Sequence, residues 1–355
     1  MVYLFKRWCW NICKYPFSNI YISILSVSLG VTFYFEVLSY FSQPIINGWP
    51  SLDCGTDRDS YRLFFVADPQ ILGEDTESWI ARMDCDRFLK ITYKYAMNYV
   101  NPDLIIFLGD LMDEGSMCSS EQYSSYFSRF RNIFYLNHIP KNKTIFLPGD
   151  NDIGGENEDV TPLKLHRYEN HFGPSVEIVS YKNLKLFKVN SMTRMFPEYN
   201  VENDTSIRIV LSHIPLLGID SLLGEEIIMK LRPHAIFSAH DHKLMHFMTE
   251  YNSPKREILQ HIDVSDQDAF RFTFSEKTKR VNEISIPTVS YRMGTAIHGY
   301  SAIVVDKKQE IMCYFFFRTP RRLAFLIFYL ILVICCVVTL FIYYCIRKRR
   351  KIGYV

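Results

Sequence analysis

The chain has 355 residues, of which 48% are hydrophobic and 22% are charged, and its formal net charge is +2 at pH 7. No basic stripe runs through the central region, which argues against a nucleic-acid-binding protein. The length accommodates one large domain or two ordinary ones, with apolar additions.

The first predicted element is an apolar run at residues 20–41, long enough to cross a hydrocarbon core of about 30 Å as a helix. Three basic residues precede it, so a cleaved signal peptide is the alternative. The run is long and aromatic-rich and has no small-x-small cleavage site in the expected place, which favours a retained membrane helix. Glu36 lies close enough to the end of the run to reach the membrane interface.

A second apolar run, residues 323–346, contains no charged residue and is followed by a strongly basic tail, residues 347–355. Basic residues mark the cytosolic ends of membrane helices. We therefore expect residues 1–19 and the tail in the cytosol, and the chain between the two runs on the lumenal side. Three arginines just before the second run oppose this orientation weakly.

Between the runs we predict a polar linker, residues 42–60, and one domain, residues 61–318. Short apolar segments such as residues 104–108 are typical of strands buried on both faces of a parallel sheet. Such strands alternate with predicted helices and are followed by mostly β sequence. This order predicts an α/β domain with two packed sheets. Helices are predicted near residues 77–99, 121–137, 162–172 and 222–231.

Five predicted strands each end in Asp, Asn or His. These strand ends are Asp68, Asp110, residues 149–152, His213 and residues 240–242. Because α/β sheets place ligands at the carboxyl ends of their strands, we expect these side chains to share one rim. Carboxylate, amide and imidazole donors suit manganese, iron(II) or zinc rather than calcium. The pattern therefore predicts a metal site.

The candidate ligands outnumber what one ion needs. They are Asp68, Gln70, Asp110, Asp150, His213, His240 and His242. One metal takes roughly three or four protein ligands, so this set implies two ions with one bridging carboxylate. Asp110, in the middle of the order, is the candidate bridge. A pair of cations about 3.5–4 Å apart activates water and neutralises a phosphoester, so these residues predict a dinuclear phosphoesterase.

The same residues form five ordered motifs that resemble those of the calcineurin-like metallophosphoesterase superfamily. The motifs are Asp68-x-Gln70, Gly109-Asp110-x-x-Asp113, Gly149-Asp150-Asn151-Asp152, His213 and His240-x-His242. With the two apolar runs, the chain is similar to the membrane-anchored branch that removes ethanolamine phosphate from GPI-anchor mannose, and to its fungal relatives. The resemblance covers roughly residues 61–300 and the two-span layout.

The resemblance implies a four-layer αββα sandwich flanked by two transmembrane helices. It also implies two divalent ions, expected to be Mn²⁺, and a GPI glycolipid or GPI-anchored proteins as substrate. The protein would be a multi-pass membrane protein of the ER and Golgi. Carried over by motif, Asp68 and His242 would hold the first metal, Asp110 would bridge, and Asp150, His213 and His240 would hold the second.

Two positions depart from the superfamily pattern. Gln70 replaces a metal-binding His, and Asp150-Asn151 replaces Asn-His. Asn151 can donate a hydrogen bond but cannot act as an acid near neutral pH. The site would then be slow, use another acid or only bind, so a binding protein such as a GPI-protein cargo receptor or regulator is the alternative. His298 is the candidate substitute acid, and Asp113 either orients a ligand or caps a helix.

Four cysteines lie between the spans, Cys54, Cys85, Cys118 and Cys313, and could form one or two disulfides in an oxidising compartment. Two N-glycosylation sequons begin at Asn142 and Asn203. The second lies in a polar stretch and is the more plausible acceptor.

Overall fold

The computed structural model describes residues 18–54, 60–218, 221–251, 257–260, 268–274, 280–306 and 310–352. The chain divides into two compact units. One comprises Met1–Ile46 with Pro320–Val355, and the other comprises Asn47–Thr319.

The helices and strands of the described residues are as follows. The helices are α1 (Ser18–Phe33), α2 (Ser39–Phe41), α3 (Gln43–Ile46), α4 (Trp79–Val100), α5 (Ser120–Ile133), α6 (Asp150–Ile153), α7 (Pro162–Phe172), α8 (Leu222–Leu231) and α9 (Arg322–Ile352). The strands are β1 (Tyr61–Val66), β2 (Leu104–Phe107), β3 (Thr144–Phe146), β4 (Glu177–Tyr181), β5 (Leu184–Lys188), β6 (Ile207–Leu211), β7 (Ala235–Ser238), β8 (Met245–Glu250), β9 (Glu257–Gln260), β10 (Ala269–Thr273), β11 (Arg280–Ser285), β12 (Gly299–Asp306) and β13 (Ile311–Arg318).

Capping residues set the starts of the main helices. The Ser78 hydroxyl accepts a hydrogen bond from the Ala81 N–H, and Thr161 caps α7 in the same way. The helix predicted to reach residue 137 ends at Ile133, because Tyr135 adopts a left-handed backbone (φ 52°) and starts a new short turn.

In the larger unit the described strands form two sheets. One has six strands in the order β10-β13-β12-β1-β2-β3, and the other has seven in the order β4-β5-β6-β7-β11-β8-β9. Parallel pairing joins β1, β2 and β3 in the first sheet and β5, β6, β7 and β11 in the second. Antiparallel strands flank the parallel set of the second sheet on both sides, whereas in the first sheet β3 is an edge strand and only β1 of the parallel set has an antiparallel neighbour.

The two sheets pack face to face, and helices cover their outer faces. Leu63 and Phe65 of β1 share one buried cluster with Ile209 of β6. Phe64 points to the opposite face and contacts Tyr93 of α4, because successive strand side chains alternate between faces. The second sheet has an outer cluster that includes Ile227 of α8. The predicted α/β fold with two packed sheets is confirmed.

A disulfide joins Cys54 to Cys313 of β13, with the two Cα atoms 5.9 Å apart. The Trp49 indole N–H donates to the Arg318 carbonyl oxygen at 2.7 Å, so this segment also pairs with β13 through a hydrogen bond. Cys85 and Cys118 are buried free thiols. Of the one or two disulfides expected among these four cysteines, the structure contains one.

The smaller unit contains two helical segments that are long and apolar enough to cross a membrane, Ile20–Phe41 and Arg322–Ile346. The first includes a π-helical turn, Tyr34–Leu38, that carries Glu36. The Glu36 carboxylate accepts hydrogen bonds from Arg322 at 2.6 Å and from the Tyr329 hydroxyl at 3.0 Å. Glu36 therefore has specific partners on the second helix. The sequence had indicated only that Glu36 could reach the membrane interface.

Candidate metal centre

The predicted metal ligands all follow strands of the two parallel blocks. Asp68 and Gln70 follow β1, Asp110 follows β2, and Asp150 begins the short helix α6 after β3. His213 follows β6, and His240 and His242 follow β7. Asp68, Gln70, Asp110, Asp150 and His213 are buried, whereas His240 and His242 are half-buried.

The structure brings five of these side chains into two overlapping groups. Asp68, Asp110 and His213 form one group, and Asp150, His213 and His240 form the other, with one donor atom of each residue within 4.8 Å of the others in its group. His213 Nε2 lies 3.4 Å from Asp110 Oδ1 and 3.1 Å from Asp150 Oδ1. His240 Nδ1 lies 3.2 Å from Asp150 Oδ1. His213 is therefore the residue common to both groups, and Asp110, the predicted bridge, belongs to the first of them.

A backbone carbonyl sets the orientation of His213. Its Nδ1 lies 2.7 Å from the Leu108 oxygen, which has only acceptor capacity, so Nδ1–H is the donor. The other ring nitrogen then faces Asp110 and Asp150, and it can ligate a cation once it has lost its proton. This contact needs a glycine at 109, because a Cβ there would lie 2.5 Å from His213 Nδ1.

Many residues of the site have a left-handed backbone conformation, which is unusual for residues other than glycine. Five predicted ligands have positive φ, namely Asp68 (46°), Gln70 (39°), Asp110 (49°), His240 (68°) and His242 (59°). Such a conformation costs a non-glycine residue on the order of 1–3 kcal/mol and persists only where surrounding contacts enforce it. Left-handed residues cluster at functional sites, so this clustering supports the functional assignment independently of the side chains.

Three donors hold the Asp110 carboxylate. The Gln70 side-chain amide donates to Oδ2 at 2.9 Å, and Asn151 donates through its backbone N–H at 3.0 Å and its side-chain amide at 3.2 Å. Gln70, predicted as a ligand, thus directs its amide nitrogen to Asp110. Asn151, which replaces the His of the superfamily pattern, contacts the same carboxylate. Both residues position Asp110 in this structure.

Asp152, the last residue of the third motif, connects two loops of the site. Its fully buried carboxylate accepts hydrogen bonds from the backbone N–H groups of Leu111, Met112 and Gly149 at 2.8–3.1 Å. It therefore ties the loop after β2 to the loop after β3. Burial, and then the nearby Asp110, raise the pKa of Asp152 to about 7.

Asp113 was expected either to orient a ligand or to cap a helix. The Asp113 side chain is half-buried, and no side-chain hydrogen bond of Asp113 is found among the described residues. Burial, and then repulsion from Glu114 and Glu77, raise the pKa of Asp113 to about 6.

His298 and His242 lie outside the two groups. His298 is buried with Nδ1 2.6 Å from Thr319 Oγ1 and its ring edge-on to Phe88, so the structure does not join this candidate acid to the carboxylates. Burial and the neighbouring His240 and His213 lower the pKa of His242 to about 4. Its imidazole is therefore neutral at pH 7 and able to ligate a cation.

The charges of the site fit divalent cations. Asp68 Oδ2 is buried and has no hydrogen-bond partner within the described part of the chain. Burial raises the pKa of Asp68 to about 8 and raises the pKa of Asp110 as well. Burial acts in the same direction on Asp150, but hydrogen bonds to His213 and His240 hold its pKa well below the ordinary value. Buried carboxylates packed this closely require positive charge, and two metal ions would supply it.

Comparison with known proteins agrees with this fold and site. The sequence profile of the calcineurin-like phosphoesterases matches residues 61–244. This span is more than half of the chain and contains every predicted metal ligand. The chain therefore belongs to the calcineurin-like phosphoesterase family.

Individual relatives share low sequence identity with this chain and align with only part of it. Metallophosphoesterase 1 of Xenopus laevis is 31% identical over 166 residues, which cover 46% of this chain and 40% of the relative. Cell division control protein 1 of Saccharomyces cerevisiae is 24% identical over 286 residues, covering 66% of this chain and 53% of the relative. The chain thus spans about half the length of these curated relatives or less. Among solved structures, the purple acid phosphatase PPD1 of yellow lupin aligns with 12% identity and a TM-score of 0.42, covering 70% of this chain and 50% of that one.

Proposed function

We propose that this chain is a dinuclear metal-dependent phosphodiesterase that acts on a membrane-linked glycolipid. The observation that supports this most directly is the pair of donor groups that share His213. Two overlapping groups of carboxylates and imidazoles, contributed by strand ends of both sheets, are suited to two adjacent cations. Phosphoester cleavage is the chemistry that such a pair serves.

Six residues would hold the ions, which we propose are Mn²⁺. Asp68, Asp110 and His242 would contribute to one position, and Asp150, His213 and His240 to the other, with Gln70 beside them. When bound, the ions would activate a water molecule and neutralise charge on the phosphate oxygens.

The protein's own groups prepare this arrangement. The Leu108 carbonyl fixes the His213 ring, and Gln70 and Asn151 fix the Asp110 carboxylate. Asn151 offers an amide donor close to the reacting position but no transferable proton.

For the substrate we propose ethanolamine phosphate on the mannose of GPI anchors, removed during transport through the ER and Golgi. Three observations support this. Relatives of this chain are named Metallophosphoesterase 1, two helices suit a membrane, and Cys54–Cys313 suits an oxidising lumen. GPI-anchored proteins would be the partners, residues 61–318 would be lumenal and both termini would be cytosolic.

A binding protein for GPI-linked cargo is the second candidate. The observation in its favour is that the side chain of Asn151 contacts Asp110 and replaces the acid expected there. General acid catalysis is typically worth about 10²–10⁴-fold, so its loss would leave a weak enzyme that retains its binding surface.

Turnover of bis-p-nitrophenyl phosphate by the full chain in detergent separates the two candidates. We expect a Mn²⁺-dependent rate that the Asp110→Asn variant lacks, because this change removes a buried anionic donor of the site. A wild-type rate equal to that of Asp110→Asn would favour the binding protein. Mass spectrometry of GPI glycans from cells lacking the chain would then test the substrate, with retained ethanolamine phosphate as the expected result.

A further inference from the structure

A short segment outside the family match lies against the backbone of three ligand-bearing loops. It comprises residues 283–288, the end of β11 and the residues that follow. β11 lies between β7 and β8 in the second sheet. Glu283, Ser285 and Thr288 are all buried, although each has a polar side chain.

Glu283 contacts the loop that follows His213. Its two carboxylate oxygens accept hydrogen bonds from the backbone N–H groups of Leu216 at 2.8 Å and Leu217 at 2.5 Å. A fully buried carboxylate is costly unless hydrogen bonds compensate it, so these contacts anchor the loop strongly. The anchored residues are only three and four positions after His213.

Ser285 and its neighbour contact the chain just before His240. The Ile286 N–H donates to the Ser238 carbonyl oxygen at 2.7 Å, and the Ser285 hydroxyl donates to the Ala239 carbonyl oxygen at 3.4 Å. His240 follows these residues directly and has a left-handed backbone.

Thr288 contacts Asp68 itself. Its hydroxyl donates to the Asp68 carbonyl oxygen at 2.9 Å, and the Val289 N–H donates to the Ala67 carbonyl oxygen at 2.9 Å. On the other side, the Gln70 N–H donates to the Asp110 carbonyl oxygen at 2.9 Å. Contacts on both sides thus hold Asp68 in its left-handed conformation (φ 46°).

We propose that residues 283–288 form a positioning segment for the metal centre, in which Thr288 sets the backbone of Asp68 and Glu283 sets the loop of His213. This inference rests on the proposed function, because it requires the metal centre. Groups that orient metal ligands typically contribute about 10–100-fold to metal affinity. A residue with a merely structural role would instead lower the stability of the metal-free chain.

The test compares the Mn²⁺ affinities of three threonine variants, each purified as the full chain. Thr288→Val removes the hydroxyl donor and keeps the side-chain shape, and Thr288→Ser restores the donor. Thr92→Val is the matched control, because Thr92 is also fully buried and its hydroxyl donates to the Phe88 carbonyl oxygen at 2.8 Å within α4. Mn²⁺ dissociation constants and the melting temperatures of the metal-free proteins are measured together.

We expect Thr288→Val to weaken Mn²⁺ binding by about 10-fold or more, Thr288→Ser to recover most of the affinity, and Thr92→Val to change only the melting temperature. Equal Mn²⁺ affinity of Thr288→Val and Thr92→Val would overturn the positioning role. If Thr288→Val does not fold, Glu283→Gln tests the same segment. In this variant one backbone N–H of the His213 loop would face the NH₂ group of the new amide instead of an acceptor, so Mn²⁺ binding should weaken. Wild-type protein that binds no Mn²⁺ would refute the proposed function itself, and the positioning role with it.

Discussion

His213 and Leu108 are separated by 105 positions in the chain, and the His213 Nδ1 lies 2.7 Å from the Leu108 carbonyl oxygen. This hydrogen bond determines which ring nitrogen faces Asp110 and Asp150, and so makes His213 a member of both donor groups. The packing of the two sheets brings these residues together, because β2 and β6 belong to different sheets whose buried faces contact each other.

Gly109→Ala should disrupt this contact. The new Cβ would lie 2.5 Å from His213 Nδ1 and 2.9 Å from the Gly149 nitrogen, so the ring or the loop must move. Gly173→Ala is the matched control, since Gly173 has a similar φ (+91° against +96°) and nothing within 4 Å of its Cβ position. Both variants should lose about 1–2 kcal/mol from backbone strain, but only Gly109→Ala should lose Mn²⁺ binding. Equal Mn²⁺ binding by the two variants, measured by calorimetry, would show that the close approach is unimportant.

Metal binding should release protons at neutral pH. Burial lowers the pKa of His213, but Asp110, Asp150 and Asp68 outweigh it and raise this pKa to about 10, so the metal-free ring is protonated at pH 7. A cation must displace that proton, and affinity should therefore rise as pH increases from about 6 towards 9. Calorimetry of Mn²⁺ binding in two buffers with different ionisation enthalpies measures the number of protons released. An affinity that is independent of pH over this range would contradict the assignment of His213.

Asn151→His should raise phosphodiesterase turnover if the missing acid limits the rate. An imidazole can transfer a proton near neutral pH, an effect typically worth about 10²–10⁴-fold. The rate should also gain a pH limb near the pKa of the new histidine, which Asn151→Gln should not produce. Turnover of bis-p-nitrophenyl phosphate between pH 5 and 9 provides the measurement. An unchanged rate and pH profile for Asn151→His would mean that another group supplies the proton or that chemistry is not limiting.

Much of the fold and site could be predicted because the signals are local. The apolar segments that end at Asp68, Asp110 and His213 are strands at those positions, and the capped helix α7 begins and ends where the sequence indicates. The rule that parallel strands present their carboxyl ends on one rim accounts for the grouping of ligands within each sheet. The packing of the two sheets brings the carboxylates of one to the histidines of the other.

The remainder depends on contacts between distant positions. The place of β11 beside β7 and the partner of Cys54 are set by tertiary packing, and no local pattern encodes them. Asp152 accepts hydrogen bonds from the backbone N–H groups of Leu111 and Met112, which lie about 40 positions earlier in the chain, so no local sequence pattern indicates these contacts. Contacts of this kind between a side chain and a distant backbone group produce no periodic pattern in the sequence.

Asn203 should carry an N-linked glycan if residues 61–318 face an oxidising lumen. Asn203 and Thr205 are both exposed, and Asn203 lies in a turn with φ 64°. Thr144 of the other sequon lies in β3 and donates to the Lys141 carbonyl oxygen, so that site is held in regular structure. Asn203→Gln should remove the mass that an endoglycosidase releases from the protein expressed in cells, and Asn142→Gln should not. A wild-type chain without any glycan would argue against the lumenal orientation.

The metal content of the purified full chain tests the central claim most directly. After equilibration with Mn²⁺ and removal of free ions, elemental analysis should find about two ions per chain, as a dinuclear centre requires. His213→Ala should retain fewer ions than the wild type, because the His213 imidazole contributes to one of the two proposed positions. Wild-type protein that retains no more metal than His213→Ala would contradict the dinuclear centre and the phosphodiesterase function derived from it.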